Sequence, residues 1–134
     1  LASARVPPVP GLAAGYVGRA QLRALSEILQ CPEVLGRAVL LVVHHAPLRP
    51  SSRRDWPTHG LLDGRKLLTL AGNGGAVALC HGHIHARYRL PGPGRLSLFC
   101  AGSSTQAGME GYWVLDVDRE GIRSAESVRL QIPC

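Results

Sequence analysis

Three of the chain's six histidines fall within five residues, at His81, His83 and His85 of the run ALCHGHIHARY. Two more, His44 and His45, stand together in VVHHAP, and both groups follow short apolar runs. Neutral imidazoles that converge from separate loops make a site for a transition metal such as zinc, manganese or iron. In extended chain, residues two apart project to the same face, so His83 and His85 are expected to address one place, or two ions a few ångströms apart. Gly82 between them is expected to let the backbone turn tightly. The sixth histidine, His59, reads as a solvent-facing loop residue, and His81 as a partly exposed residue at a strand end.

The elements that must position these side chains are short. RAVLLVV, residues 37–43, is a continuous apolar run with β-branched residues, the pattern of a strand buried on both faces. AVALC, residues 76–80, is a second such strand. In α/β sheets, ligands collect beyond the carboxyl ends of the strands, so two neighbouring strands would bring His44 to His83 and His85. GRAQLRALSEILQ places Leu22, Leu25, Ile28 and Leu29 at helical spacing, closed by Cys31-Pro32. LLDGRKLLTLAGNG reads as a second helix that ends at its glycines. Between the first strand and this helix runs a Pro- and Ser-rich loop, residues 44–60, of a length usually kept for function. The remainder, ARYRL, RLSLFCAG, GYWVLDVD and GIRSAESVRL, reads as a run of strands, the last two joined as a hairpin at DREG. The expected class is therefore α/β: one domain over residues 1–134, with an irregular lead-in at 1–17, a mixed sheet flanked by two helices, and a C-terminal run of strands.

The run LLVVHHAPL, a loop, and HGLLDGRKLLTLAGNGGAVALCHGHIH together resemble the C-terminal half of a calcineurin-like metallophosphoesterase. The shared pattern is an apolar strand into HH-x-P, a helix, and an apolar strand into GH-x-H. GYVGRAQLRALSEIL is similar to the helix before the first motif, and AGSST at 101–105 to a segment after the second in cyclic-nucleotide and related phosphodiesterase branches. The resemblance covers roughly residues 15–118. It implies half of an αββα sandwich, and hydrolysis of a phosphomonoester or phosphodiester by a metal-activated water. It implies His44, His83 and His85 as ligands within a site of two divalent ions (manganese, iron or zinc), with His45 behind them or on the substrate. Arg53 and Arg54, in the long loop, could pair with a phosphate. Ser103, Ser104 and Thr105 could line the pocket through hydroxyl and backbone N–H groups.

Half of the family's pattern is absent. The D-x-H, G-D-x-x-D and G-N-H-D/E motifs, which supply the bridging carboxylate and the remaining ligands, do not occur. The aspartates are Asp55, Asp63, Asp116 and Asp118, none at a buried strand end. Two divalent ions about 3.5–4 Å apart repel strongly without anionic ligands between them, and three neutral imidazoles do not provide that charge. The chain by itself is thus expected to hold at most one metal, weakly, and to be inactive alone. It is expected to be a portion of a longer enzyme, completed by an N-terminal half of the same domain or by a dimer partner. Two other readings stand beside this one: a non-catalytic complementing or anion-binding partner, and a mononuclear zinc protein with three histidine ligands.

Bulk properties narrow the field. Hydrophobic residues make up 46% and charged residues 18% of the 134, which suits a packed core. The net charge of +6 comes from scattered arginines and Lys66, with few aromatics to interleave, and this argues against a nucleic-acid groove. The cysteines, at 31, 80, 100 and 134, lack metal-ligand spacing and read as reduced. No apolar run approaches the roughly 20 residues of a membrane helix, so no membrane partner is expected and the cytoplasm is the expected compartment.

Overall fold

The structure is a computed structural model that describes residues 1–5, 12–103 and 106–130. Helix α1 (Arg19–Leu29) buries Leu22, Leu25 and Leu29, a single stripe at helical spacing. It begins after Gly18, whose φ of 88° lies in the left-handed region open to glycine. The N–H groups of Val17 and Gly18 donate to the carboxylate of Asp63, at 3.1 and 2.8 Å. Asp63 is the residue just before helix α2 (Gly64–Asn73), so one buried side chain satisfies the entry of α1 and fixes it against the start of α2. Helix α2 buries Leu67, Leu68 and Ala71 and ends where the N–H of Gly74 donates to the carbonyl of Leu70 at 2.9 Å.

Four strands form a mixed sheet: β1 (Leu40–Val42), β2 (Ala78–His81), β3 (Arg87–Pro91) and β4 (Ser97–Ala101), in the spatial order β1-β2-β4-β3. β1, β2 and β4 are parallel, and β3 lies antiparallel on β4. Leu41, Leu79 and Leu98 project to one face and form a single core with the buried leucines of both helices. Each such buried leucine is worth roughly 1.5–3 kcal/mol relative to an exposed one. The fold is therefore α/β, with a mixed sheet and two helices, as the apolar pattern implies.

One strand departs from its expected setting. β1 lies at the sheet edge, and it is not buried on both faces: Leu41 points into the core, while Leu40 and Val42 are 44% and 64% exposed. A continuous apolar run marks residues able to be buried on two faces, and here only one face is covered.

The last two strands, β5 (Gly111–Asp118) and β6 (Gly121–Arg129), make a separate antiparallel sheet. Asp118 closes its turn by accepting the N–H groups of Glu120 and Gly121 at 2.8 and 3.1 Å. Trp113 fastens this hairpin to the main sheet: its ring lies 5.3 Å from that of Phe99, and its indole N–H donates to the carbonyl of Cys100 at 2.9 Å. Among the described residues no helix is long and apolar enough to cross a membrane.

Candidate metal centre

The parallel pairing of β1 with β2 decides which histidines meet. The ladder continues past the strands: Val43 N–H donates to Cys80 O at 3.0 Å, and Gly82 N–H donates to His44 O at 3.0 Å. His44 and His83 therefore leave two adjacent strand ends side by side, at the carboxyl edge where parallel sheets gather ligands. His44 Nε2 lies 3.2 Å from His83 Nδ1. His44, His45 and His83 form a group whose candidate ligand atoms all fall within 4.8 Å of one another.

The hydrogen-bond partners say which nitrogens are open. His83 Nε2 lies 3.0 Å from the carbonyl of His59, which only accepts, so the proton sits on Nε2 and the Nδ1 lone pair faces His44. Two imidazole nitrogens on one tetrahedral ion, with bonds of about 2.0–2.1 Å, stand roughly 3.3 Å apart. The His44–His83 pair already has that bite. His83 also has the carbonyl partner that usually fixes the tautomer of a ligating histidine. Burial, followed by the neighbouring His45, His59 and His44, lowers the His83 pKa to about 4, so the ring is neutral at physiological pH.

His45 is held differently. It is buried, with its Nε2–H donating to Ala13 O at 3.0 Å and its Nδ1 accepting from the Ser3 hydroxyl at 2.8 Å. Ser3 Oγ in turn accepts the backbone N–H of His45 at 3.3 Å. A Cβ on Gly15 would sit 2.3 Å from His45 Cγ, so a glycine there is what admits the ring. Both nitrogens are engaged, and burial first, then His44, lowers this pKa as well. His45 shares the cluster, yet it is clamped by residues of the lead-in.

His85 lies outside that three-histidine group. Its Nδ1 faces Gln106 Oε1 at 3.0 Å and it is exposed. The extended geometry expected across this segment is not what the backbone adopts: β2 ends at His81, and His83 and His85 have φ of 70° and 59°. Left-handed φ is uncommon outside glycine, and two such residues so close mark a tight turn that aims the rings individually. Gly82, by contrast, has room for a Cβ, with His44 O the nearest atom at 3.9 Å.

The other candidate residues are spread around this centre. Ser103 is buried, and its Oγ accepts the N–H of Gln106 at 3.2 Å, which steadies the side chain that meets His85. Ser104 and Thr105 lie outside the described residues. Arg53 and Arg54 line an open cleft with Arg49 and Trp56, and Arg54 donates to the carbonyl of Leu62 at 3.1 Å.

Two histidines sit otherwise than expected. His81 is 4% exposed, and its ring nitrogens make no hydrogen bond of good geometry among the described residues. Burial lowers its pKa to about 4. His59 does not face solvent alone: its ring centroid is 4.1 Å from that of His83, and its Nδ1 meets Asp55 Oδ2 at 2.5 Å. The spacing Asp55-x-x-x-His59 was the available signal for this pair. Arg49, Asp55, Trp56, His59, His83 and His85 border one open pocket of about 560 Å³.

Over 80 residues, or 59% of the chain, the sequence is 35% identical to a probable cyclic nucleotide phosphodiesterase of Synechococcus sp. (strain WH7803). A phosphoesterase relationship fits. The match covers 30% of that protein, so the chain spans less than a third of the relative's length. No protein-family model matches the chain. This distant similarity and the histidine cluster support hydrolase chemistry and metal binding.

Proposed function

We propose that the chain contributes the histidine-rich part of a metal-dependent phosphoesterase of the calcineurin-like type, whose substrate is a phosphate ester. The observation that carries this reading is the 3.2 Å separation of His44 Nε2 and His83 Nδ1 at two parallel strand ends. The name of the Synechococcus relative supports a phosphodiester, a cyclic nucleotide in particular, as the ester. His44 and His83 would hold one ion, and His85 would serve a second. An ion there supplies Lewis-acid charge to a phosphoryl oxygen. The protein's own residues do the rest. His59 O fixes the His83 tautomer, Gln106 orients His85, and the loop arginines favour an anionic ligand.

No carboxylate joins the three-histidine group among the described residues, so a paired-ion site takes its anionic ligands from elsewhere, from an N-terminal half or a partner chain. A mononuclear three-histidine zinc site would require His45 to give up Ser3 or Ala13, which favours the two-ligand reading of this cluster. The test is metal titration by calorimetry, with manganese(II) and zinc(II), of the wild type, His83→Ala and His45→Ala. The expected result is loss of binding in His83→Ala with the fold retained by circular dichroism. Unchanged affinity in His83→Ala would remove the reading.

A further inference from the structure

We infer that Trp56 is the platform on which a flat aromatic part of the ligand stacks while its phosphate lies at the histidines. The inference rests on the phosphoesterase reading for the position of the phosphate. A single exposed apolar residue is ordinary on a protein surface. Trp56 differs in how it is held and in what it adjoins.

At 69% exposure Trp56 is the most exposed large apolar side chain among the described residues. Its backbone is nevertheless anchored. Its N–H donates to Asp55 Oδ1 at 2.8 Å, and its carbonyl accepts the N–H groups of His59 and Gly60, at 2.9 and 2.8 Å. Asp55 is itself 5% exposed at its side chain and pairs with both His59 and Arg49. Gly60 passes so close that a Cβ on it would lie 2.6 Å from Asp55 Cβ. The turn is thus braced on its inner side while the indole is presented outward. A ring with few rotatable bonds on a braced turn loses little entropy when it binds.

Trp56 also lines two adjoining clefts. It borders the pocket that holds His83 and His85, and it borders the neighbouring cleft lined by Arg53 and Arg54. A ligand with its phosphate at the imidazoles would therefore extend its organic portion over this ring, with arginine charge on the far side. Trp113, the chain's other tryptophan, offers no such surface, because its N–H is bonded to Cys100 O and its ring packs on Phe99.

The experiment uses adenosine 5′-monophosphate and, as the base-free control, ribose 5-phosphate, with manganese(II) present. Trp113→Phe leaves Trp56 as the sole tryptophan, read by selective tryptophan excitation, and calorimetry on the wild type makes the same comparison if that variant does not fold. The expected result is saturable quenching by the nucleotide, and affinity for it about ten-fold above that for ribose 5-phosphate. Trp56→Leu should erase that ten-fold advantage and leave metal affinity unchanged. Equal affinity for the two ligands in the wild type, no nucleotide binding, or undiminished preference in Trp56→Leu would overturn the inference. Nucleotide quenching without metal binding at His44 and His83 would keep Trp56 as a platform and remove the phosphoesterase reading instead.

Discussion

Asp55 Oδ2 meets His59 Nδ1 at 2.5 Å, and the carbonyl of the same His59 receives the Nε2–H of His83. One carboxylate in the long loop thereby reaches the histidine cluster through a single intervening residue. Asp55→Asn removes the charge and weakens the pairing with His59 and Arg49, while an amide oxygen can still accept the Trp56 N–H. We expect a stability loss of roughly 1–3 kcal/mol by urea denaturation, as for one broken charged hydrogen bond, and weaker metal binding by calorimetry. A variant as stable as the wild type with the same metal affinity would disconnect the loop from the centre.

Gly15→Ala tests the clamp on His45. The added Cβ would overlap the His45 side chain, 2.3 Å from Cγ, 2.4 Å from Nδ1 and 2.8 Å from Cβ. Overpacking of this kind costs about 1–3 kcal/mol. We expect a lower unfolding midpoint and a shifted His45 imidazole resonance in NMR spectra.

Stability should fall as pH drops from about 6.5 towards 4. His81 and His83 each have a folded pKa lowered to about 4 from the ordinary 6.5. Between those values the unfolded chain binds more protons than the folded one, so acid favours unfolding, and above about 6.5 both states are neutral and the effect vanishes. Asp55 extends the loss to lower pH: burial pushes its carboxyl up, but the bonds from His59 and the Trp56 N–H outweigh this and hold it below its usual range. Thermal melts of the metal-free protein across this range check the slope. His81→Leu should flatten it, because the buried imidazole is then gone.

Gln106→Ala frees His85 Nδ1 while leaving the His44–His83 pair in place. We expect the affinity for a first manganese ion to hold within about two-fold, and the His85 ring signals to broaden in NMR. A ten-fold loss of first-ion affinity, which is about 1.4 kcal/mol, would place His85 on that ion.

Much of the fold was legible because apolar spacing is a local property. The stripe Leu22, Leu25 and Leu29, the run around Leu79 and the Asp118–Gly121 turn lie where pattern and turn chemistry put them. The exposure of Val42 was not legible, since a run of apolar residues states what can be buried and not what covers it. The adjacency of His44 and His83 follows from two strand ends, so it could be read in advance. The turn that aims His83 and His85 could not, because left-handed φ at a histidine has no marker in residue type. His45 is held by Ser3, 42 positions away, and His59 reaches His83 through the closure of a long loop. Periodicity says nothing about either contact.

The β5–β6 hairpin keeps its backbone pairing to itself and is tied to the rest of the fold by the side chains of Trp113, Arg87 and Arg95. Such an arrangement is expected to behave as two cooperative units within one chain. Local opening of the hairpin can then proceed without disturbing the imidazoles, and its amides should exchange with deuterium well ahead of those in the parallel strands.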